Sequence, residues 1–216
     1  MGLRQRYREI NDRIEKSAEK AGRNPAEITL IAVSKTFSVD KIRELYDFGH
    51  KFFGESRLQE ALPKIEVLSD DIHWHFVGDF QSNKAKKIAQ SFTLIHSLAT
   101  ESALNKLAQL DHKTRVLLEI NIAEEPQKAG ILPGGLDRFL QSALECKQVQ
   151  IEGLMTIGPA TSDPEESRQW FRKLRTLAEP HPNLVQLSMG MSQDFEQAIQ
   201  EGSTFVRVGT ALFGER

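Results

Sequence analysis

The sequence predicts a single (β/α)8 barrel, a TIM barrel, that spans residues 1–216 and begins with an extra N-terminal helix. Three observations predict it: eight apolar segments of strand length, helical patterns that alternate strictly with them, and no linker, repeat or low-complexity tract between them. Strict alternation implies parallel strands joined by crossover helices, and eight such units favour a closed barrel. An open doubly wound sheet is the alternative, because strand counts from one sequence vary by one or two.

The first element is an amphipathic helix over residues 3–20. Leu3, Tyr7, Ile10 and Ile14 recur on one face of it, and Gly22 follows as a stop signal. The predicted strands are 28–34, 51–55, 73–78, 93–97, 115–122, 150–157, 184–190 and 204–209. The predicted helices between them are 39–48, 56–67, 82–90, 100–110, 133–147, 163–178 and 192–201, with a short one after 210.

The composition limits the classes of function. The 28 basic and 30 acidic residues leave a formal charge of -2, so no overall field attracts nucleic acid or membrane, and an anion site must be local. The basic run 83–87 is interpreted as a solvated helix face. The lone Cys146 excludes an intramolecular disulfide and fits a reducing compartment. Because no stretch approaches the roughly 20 apolar residues of a membrane span, we expect a cytoplasmic protein without nucleic-acid or membrane partners.

The carboxyl ends of the strands form the working face of such a barrel, and here they are polar or rich in glycine. They carry Ser34-Lys35-Thr36, Gly54-Glu55-Ser56, Gly78-Asp79, Asn121, Met155-Thr156, Ser188-Met189-Gly190 and Arg207-Val208-Gly209-Thr210. His73 and His75 share one strand face, but no third ligand follows at a suitable spacing, so we expect no metal site.

Lys35 directly follows the first apolar strand. We expect apolar walls there to disfavour its charged form, and a neutral amine forms Schiff bases with carbonyl compounds. A solvent-facing lysine in the first loop is the alternative, and periodicity does not decide between the two.

The segments LSMGMS and RVGT place glycines and hydroxyls after strands seven and eight, where barrels of this type bind phosphate. Gly209 and Thr210 suit that role, although glycines also simply permit tight turns. Arg207, beside them, could donate to a ring nitrogen or to the phosphate, or it could form a surface ion pair. If it faces a pyridine nitrogen, it keeps that nitrogen unprotonated and weakens the ring as an electron sink. A nucleophilic lysine and a phosphate site together suggest a phosphate-bearing aldehyde.

Seven ordered blocks resemble the pyridoxal phosphate homeostasis proteins, the YggS/PROSC group, over nearly the whole chain. They are AVSKT (32–36), FGESRLQE (53–60), WHFVGDFQSNK (74–84), NIAEEPQKAG (121–130), GLMTIGP (153–159), LSMGMSQDFEQAI (187–199) and GSTFVRVGTALFGER (202–216). This resemblance implies a barrel like the N-terminal domain of alanine racemases.

The resemblance also implies pyridoxal 5'-phosphate as the cofactor, with Lys35 as the Schiff-base lysine and Arg207 near the pyridine nitrogen. It implies that Gly209, Thr210 and the turn Ser188-Met189 surround the phosphate. The predicted cofactor-binding set also includes Met155, Asn121, His75 and Ser56. Two positions depart from the family pattern: Ser56 stands where Asn is usual, and Phe80 stands where Leu is usual.

Racemisation needs a base on each face of the substrate. Lys35 could be one, but alanine racemases take the other, a tyrosine, from an additional domain and the partner subunit, whereas this chain ends at Arg216. Its only tyrosines, Tyr7 and Tyr46, lie in helical segments. We therefore predict a monomeric carrier that buffers the cofactor and passes it to apo-enzymes, with no catalytic residues. The alternatives are a low-activity racemase, a Schiff-base aldolase, and a regulatory module whose protein partner matters most.

Overall fold

A computed structural model describes residues 2–214, which form a closed barrel of eight parallel strands. Each strand pairs with its neighbour along the chain, and β8 closes the barrel against β1, with Ile31 opposite Arg207. The predicted closed barrel is thus confirmed, and the open sheet is wrong. The strands are β1 Thr29–Val33, β2 Phe52–Glu55, β3 His73–Phe76, β4 Leu94–Leu98, β5 Thr114–Glu119, β6 Val149–Met155, β7 Gln186–Ser188 and β8 Phe205–Val208.

Helices surround the barrel in the predicted order, and a single turn of 3-10 helix directly precedes two of them. None of those within residues 2–214 combines the length and apolar character needed to cross a membrane. The helices are α1 Leu3–Lys20, α2 Val39–Asp47, α3 Leu58–Val67, α4 Ala85–Ser91, α5 Glu101–Ala108, α6 Leu136–Ala143, α7 Pro164–Ala178, α8 Phe195–Gln200 and α9 Thr210–Phe213.

The largest error in the predicted boundaries concerns the helix placed at 133–147. The structure has a 3-10 turn over Pro133–Gly135, and α6 then spans only Leu136–Ala143. Two consecutive glycines lose more backbone entropy in a helix than other residues do, so the α-helix begins after them.

The leading helix α1 packs against α8 and α9. Its predicted apolar stripe is confirmed, because Leu3, Ile10 and Ile14 are buried and Tyr7 packs against the core. The Arg6 Nε donates to the carbonyl of Leu212 at 2.6 Å. This helix therefore ties the start of the described chain to the short helix after β8.

The barrel has two apolar regions and one polar layer. The main core lies between strands and helices, while Ile31, Leu94, Leu117, Met155 and Phe205 form a smaller cluster inside the barrel. Side chains two residues further along a strand point the same way. Three buried polar residues, His96, Glu119 and Arg207, therefore form the next interior layer, toward the carboxyl ends of the strands.

Candidate ligand site at the carboxyl ends of the strands

A cavity of about 540 Å³ opens at the carboxyl ends of the strands. Its size falls in the range of roughly 300–1,000 Å³ that is typical of small-molecule sites. It is lined by five residues of the predicted cofactor-binding set: Lys35, Ser56, Arg207, Gly209 and Thr210. Other lining residues include Val33, Val77, Lys128, Ile157, Pro159, Thr161, Met191, Ser192 and Asp194.

Lys35 lies in a turn directly after β1 and is solvent-exposed. The expectation that apolar walls enclose it is therefore wrong: the lysine is beyond the end of the strand, at the open side of the cavity. The next residue, Thr36, has a φ of 68°. A left-handed conformation of this kind costs about 1–3 kcal/mol in a non-glycine residue and persists where the surroundings impose it.

Arg207, on β8, is buried beside the cavity and is not in a surface ion pair. Its guanidinium donates to the Ser188 Oγ at 2.7 Å and to the Thr156 carbonyl at 2.9 Å. Burial lowers its pKa to about 10, against the opposing influence of Glu119 and Asp194. Arg207 is therefore a fixed cation at neutral pH.

A chain of buried hydrogen bonds extends from Arg207 through the barrel interior. The His96 Nδ1 lies 2.8 Å from the Ser188 Oγ, and the His96 Nε2 lies 2.8 Å from the His75 Nδ1. Burial lowers the pKa of His75 to about 3 and that of His96 well below its usual value, so both rings are neutral. Donors and acceptors match along this chain if Ser188 donates to His96 and His96 donates to His75.

The loop after β7 meets the start of α9 at one side of the cavity. The Ser192 Oγ accepts hydrogen bonds from the backbone N–H groups of Gly209 and Ala211, each at 3.3 Å. Gly190, in the same loop, has a φ of +89°, and a Cβ there would lie 2.4 Å from the Ala198 Cβ. Backbone N–H groups and a hydroxyl thus converge where the sequence predicts a phosphate.

Five predicted site residues lie outside the cavity lining: Met189, Met155, His75, Asn121 and Ser188. Met189 is buried in the main core and Met155 in the inner cluster, so their side chains pack against protein. His75 is buried against His96. Asn121 orders its own loop, since its amide donates to the Glu125 carbonyl at 2.8 Å. Strand-end position alone does not distinguish residues that point into the cavity from those that point into the core.

Ser188 is not among the residues that line the cavity, and its place around a phosphate stays a prediction. Its hydroxyl lies under Arg207 inside the barrel. The hydroxyl beside Gly209 belongs instead to Ser192, four residues further along. Ser192 stands in the segment LSMGMS, which the sequence predicts to lie at a phosphate site.

The charged residues in or beneath the cavity include some that the predicted set lacks, among them Lys128 and Glu119. Lys128 lines the cavity, and its ammonium donates to the Gly158 carbonyl at 2.9 Å. Glu119 is buried at the end of β5, where burial raises its pKa to about 7, although Arg207 opposes that change. Lys128 lies within a loop too irregular for periodicity to place. Glu119 occupies an inward strand position, a signal that the alternation of β5 does contain.

The fold and the site together define an alanine racemase-like barrel. The family model "Alanine racemase, N-terminal domain" matches residues 7–216. The pyridoxal phosphate homeostasis protein of Aquifex aeolicus is 42% identical, with 100% of this chain and 99% of that protein covered. The one from Escherichia coli is 38% identical, with 96% and 94% covered.

This chain belongs to the alanine racemase N-terminal domain family, and within it to the pyridoxal phosphate homeostasis proteins. The predicted family resemblance is thereby confirmed, although Glu215 and Arg216, the end of its last block, lie outside the described residues. Among solved structures, PipY of Synechococcus elongatus with PLP bound superposes with a TM-score of 0.79 at 37% identity, covering 94% of this chain and 100% of that one. Alanine racemase of Corynebacterium glutamicum shares the fold, with a TM-score of 0.71 at 17% identity over 96% of this chain and 61% of its own.

Proposed function

We propose that this protein binds pyridoxal 5'-phosphate as a Schiff base on Lys35 and serves the homeostasis of that cofactor by buffering and delivering it. One observation carries the proposal: Lys35, Arg207 and the segment Gly209-Thr210 line the same cavity. The names of the relatives and the PLP-bound structure of PipY support the choice of ligand.

The chemistry of the residues fits that ligand. Lys35 supplies an exposed amine for the aldehyde, and the backbone N–H groups near Gly209 with the Ser192 hydroxyl suit the phosphate. Arg207 is a buried cation at neutral pH, suited to face a ring nitrogen and keep it unprotonated. Bound pyridoxal phosphate supplies an electron sink, and an unprotonated ring weakens it. This arrangement favours retention of the cofactor over carbanion chemistry.

The positions of the tyrosines support a carrier rather than a catalyst. Tyr46 donates to Asp71 at 2.7 Å on the protein surface, and Tyr7 packs beside His50 with 5.5 Å between ring centres. Among the described residues, neither lines the cavity. The tyrosine that would complete a two-base site is thus not supplied from residues 2–214.

Lys128 keeps a second function open, a low-activity amino-acid racemase. It is a second lysine in the cavity lining and could serve as the base opposite Lys35. Its contacts oppose this role, because the ammonium donates to the Gly158 carbonyl and pairs with Glu125 at 2.5 Å. Both contacts engage the ammonium with groups of the protein, whereas a base must be free to reach the proton that it abstracts.

The first experiment is an absorbance spectrum of the purified protein with added pyridoxal 5'-phosphate, before and after borohydride, with mass mapping of the labelled peptide. We expect a Schiff-base band that borohydride removes and a label fixed on Lys35. Lys35→Ala is the control and should give neither. A label on Lys128 alone would contradict the proposed role of Lys35. If no lysine is labelled, pyridoxal 5'-phosphate is not bound as a Schiff base and the proposal is wrong.

Exchange of the α-proton of D- and L-alanine in heavy water distinguishes carrier from racemase. A carrier gives no more exchange than Lys35→Ala, whereas a racemase gives exchange that Lys128→Met abolishes.

Delivery is tested separately by mixing the loaded protein with an apo-enzyme that needs the cofactor. The activity of the apo-enzyme should return faster than it does when the same amount of free cofactor is added in buffer. Light scattering tests the accompanying proposal that the chain is a monomer.

A further inference from the structure

Lys64 of α3 is a buried lysine behind the cavity wall. Its side chain is 10% exposed, and its ammonium donates to the Glu55 Oε1 at 2.7 Å. Replacing a buried ion pair by apolar residues of similar volume is often neutral or stabilising. Stability alone therefore gives a weak reason for a lysine at this position.

The second contact of Lys64 points to a role. Its ammonium also donates to the backbone carbonyl of Ser34 at 2.9 Å, one residue before Lys35. The Ser34 Oγ donates to the same Glu55 oxygen at 2.7 Å, and the Ser34 N–H donates to the Gly54 carbonyl at 2.9 Å. All the polar groups of Ser34 are therefore held, and the ion pair holds two of them.

The residue after Lys35 lies close to the same helix. Arg57 and, less strongly, the backbone of Thr36 lower the pKa of Glu60, one helical turn before Lys64. Thr36 is the residue with the left-handed backbone, and the Phe37 N–H closes the turn on the Ser34 carbonyl at 3.0 Å. An unfavourable conformation persists only where the surroundings impose it. The Lys64 ammonium and the Phe37 N–H, which both donate to the Ser34 carbonyl, hold the turn at the residue before Lys35.

We infer that Lys64, paired with Glu55, is a positioning residue that holds the Lys35 turn so that the lysine amine meets the aldehyde of the bound ligand. Small displacements of a reacting group reduce rates strongly, by about 100-fold for roughly 1 Å. Lys64 touches neither ligand nor amine in this role. It acts on the backbone from which Lys35 projects.

This inference rests on the proposed function, and its test separates formation of the covalent bond from binding of the ligand. Pyridoxal 5'-phosphate reacts with Lys35, whereas pyridoxine 5'-phosphate has an alcohol in place of the aldehyde and can only bind. For Lys64→Met we expect the rate of Schiff-base formation, followed by stopped-flow absorbance, to fall at least about tenfold. The Kd for pyridoxine 5'-phosphate should change less than about twofold, because Arg207 and the Gly209 segment are unaltered.

Lys64→Met leaves Glu55 buried without its partner, so a second variant is needed. Glu55→Gln/Lys64→Met removes both charges and keeps the volume, while the Ser34 carbonyl still lacks its ammonium. We expect this double variant to remain slow. Arg115→Met, which breaks the ion pair with Glu152 on the exposed side of β5 and β6, is the control and should react at the wild-type rate.

The outcomes separate the two proposals. If the wild-type protein labels no lysine, the proposed function fails. If the wild type reacts and both Lys64 variants react as fast as the wild type, the positioning role is wrong. Recovery of the rate in the double variant would also contradict it, since the single variant would then suffer only from an unpaired charge. Equal losses of rate and of pyridoxine 5'-phosphate affinity would also overturn the positioning role, because they would indicate general damage to the site.

Discussion

Ser188 links the arginine of the cavity to the histidines of the barrel interior. Its hydroxyl accepts from Arg207 and lies 2.8 Å from the His96 Nδ1, with all three groups buried. Removing one partner of a buried hydrogen bond leaves the other unsatisfied, at a cost of about 1–3 kcal/mol for each group. Ser188 therefore bears on stability as well as on the orientation of Arg207.

For Ser188→Ala we expect the free energy of unfolding to fall by about 2–4 kcal/mol, because an arginine N–H and a histidine nitrogen both lose their partner. Urea unfolding measures the change. The control is Ser142→Ala, which removes only an exposed hydrogen bond to the Arg138 carbonyl and should stay within about 0.5 kcal/mol. Equal losses of stability at the two sites would contradict the role assigned to the chain of buried hydrogen bonds.

Glu119 makes the stability depend on pH in the opposite sense from most carboxylates. Its folded pKa of about 7 lies above the value of an unfolded chain, so the folded protein holds the extra proton. Its contribution to stability is full below about pH 4.5 and is lost as the pH rises through 7. We expect Glu119→Gln to gain up to about 3 kcal/mol relative to wild type between pH 4.5 and pH 8. Urea unfolding of both proteins at the two pH values tests this. If the free energies of unfolding of wild type and Glu119→Gln change equally with pH, the assignment is wrong.

At the scale of elements, the loop between β7 and α8 depends on one glycine. Gly190 combines a φ of +89° with a packing distance that leaves no room for a Cβ beside Ala198. Its carbonyl accepts from the Arg207 N–H at 3.0 Å, so this glycine also makes a backbone contact between the loop and β8.

Gly190→Ala should lower the free energy of unfolding by roughly 2–5 kcal/mol, because backbone strain and a steric clash add. Gly134→Ala is the matched control, since a Cβ at Gly134 meets nothing within 4 Å. Thermal unfolding of the two variants measures the difference. A Gly190→Ala protein as stable as the control would mean that the loop rearranges at no cost.

At the scale of the whole molecule, three buried histidines set the response to acid. Burial lowers the pKa of His50 to about 4, that of His75 to about 3 and that of His96 well below its usual value. The unfolded chain takes up these protons near pH 6.5 and the folded protein does not. The contribution of these histidines to stability is therefore full above about pH 6.5 and is lost as the pH falls below it.

Three such protons, opposed by the one on Glu119, should reduce the free energy of unfolding by roughly 3 kcal/mol per pH unit between about pH 6 and pH 4.5. His50→Gln tests the account outside the cavity, because an amide can still donate to the Phe52 carbonyl that His50 contacts at 2.8 Å. We expect its slope to be shallower by about 1.4 kcal/mol per pH unit. An unchanged slope would contradict the assignment for His50.

The sequence by itself determined the architecture, because alternation of strand and helix patterns is local and eight parallel units favour closure. It also located Lys35, Arg207 and the Gly209-Thr210 segment, since the end of each apolar segment marks the working face of a barrel. The single domain over 1–216 stays a prediction, as do the roles of the individual site residues.

Only the tertiary structure decided which strand-end side chains share the cavity. Met189 and Ser188 are neighbours in sequence, yet one packs in the main core and the other lies under Arg207. Lys64 stands 29 residues beyond Lys35 and within a helix, so no local pattern connects it with the carbonyl of Ser34. Periodicity reports the face on which a side chain lies; contacts between separate elements, such as Lys64 with Ser34, exist only once the barrel has closed.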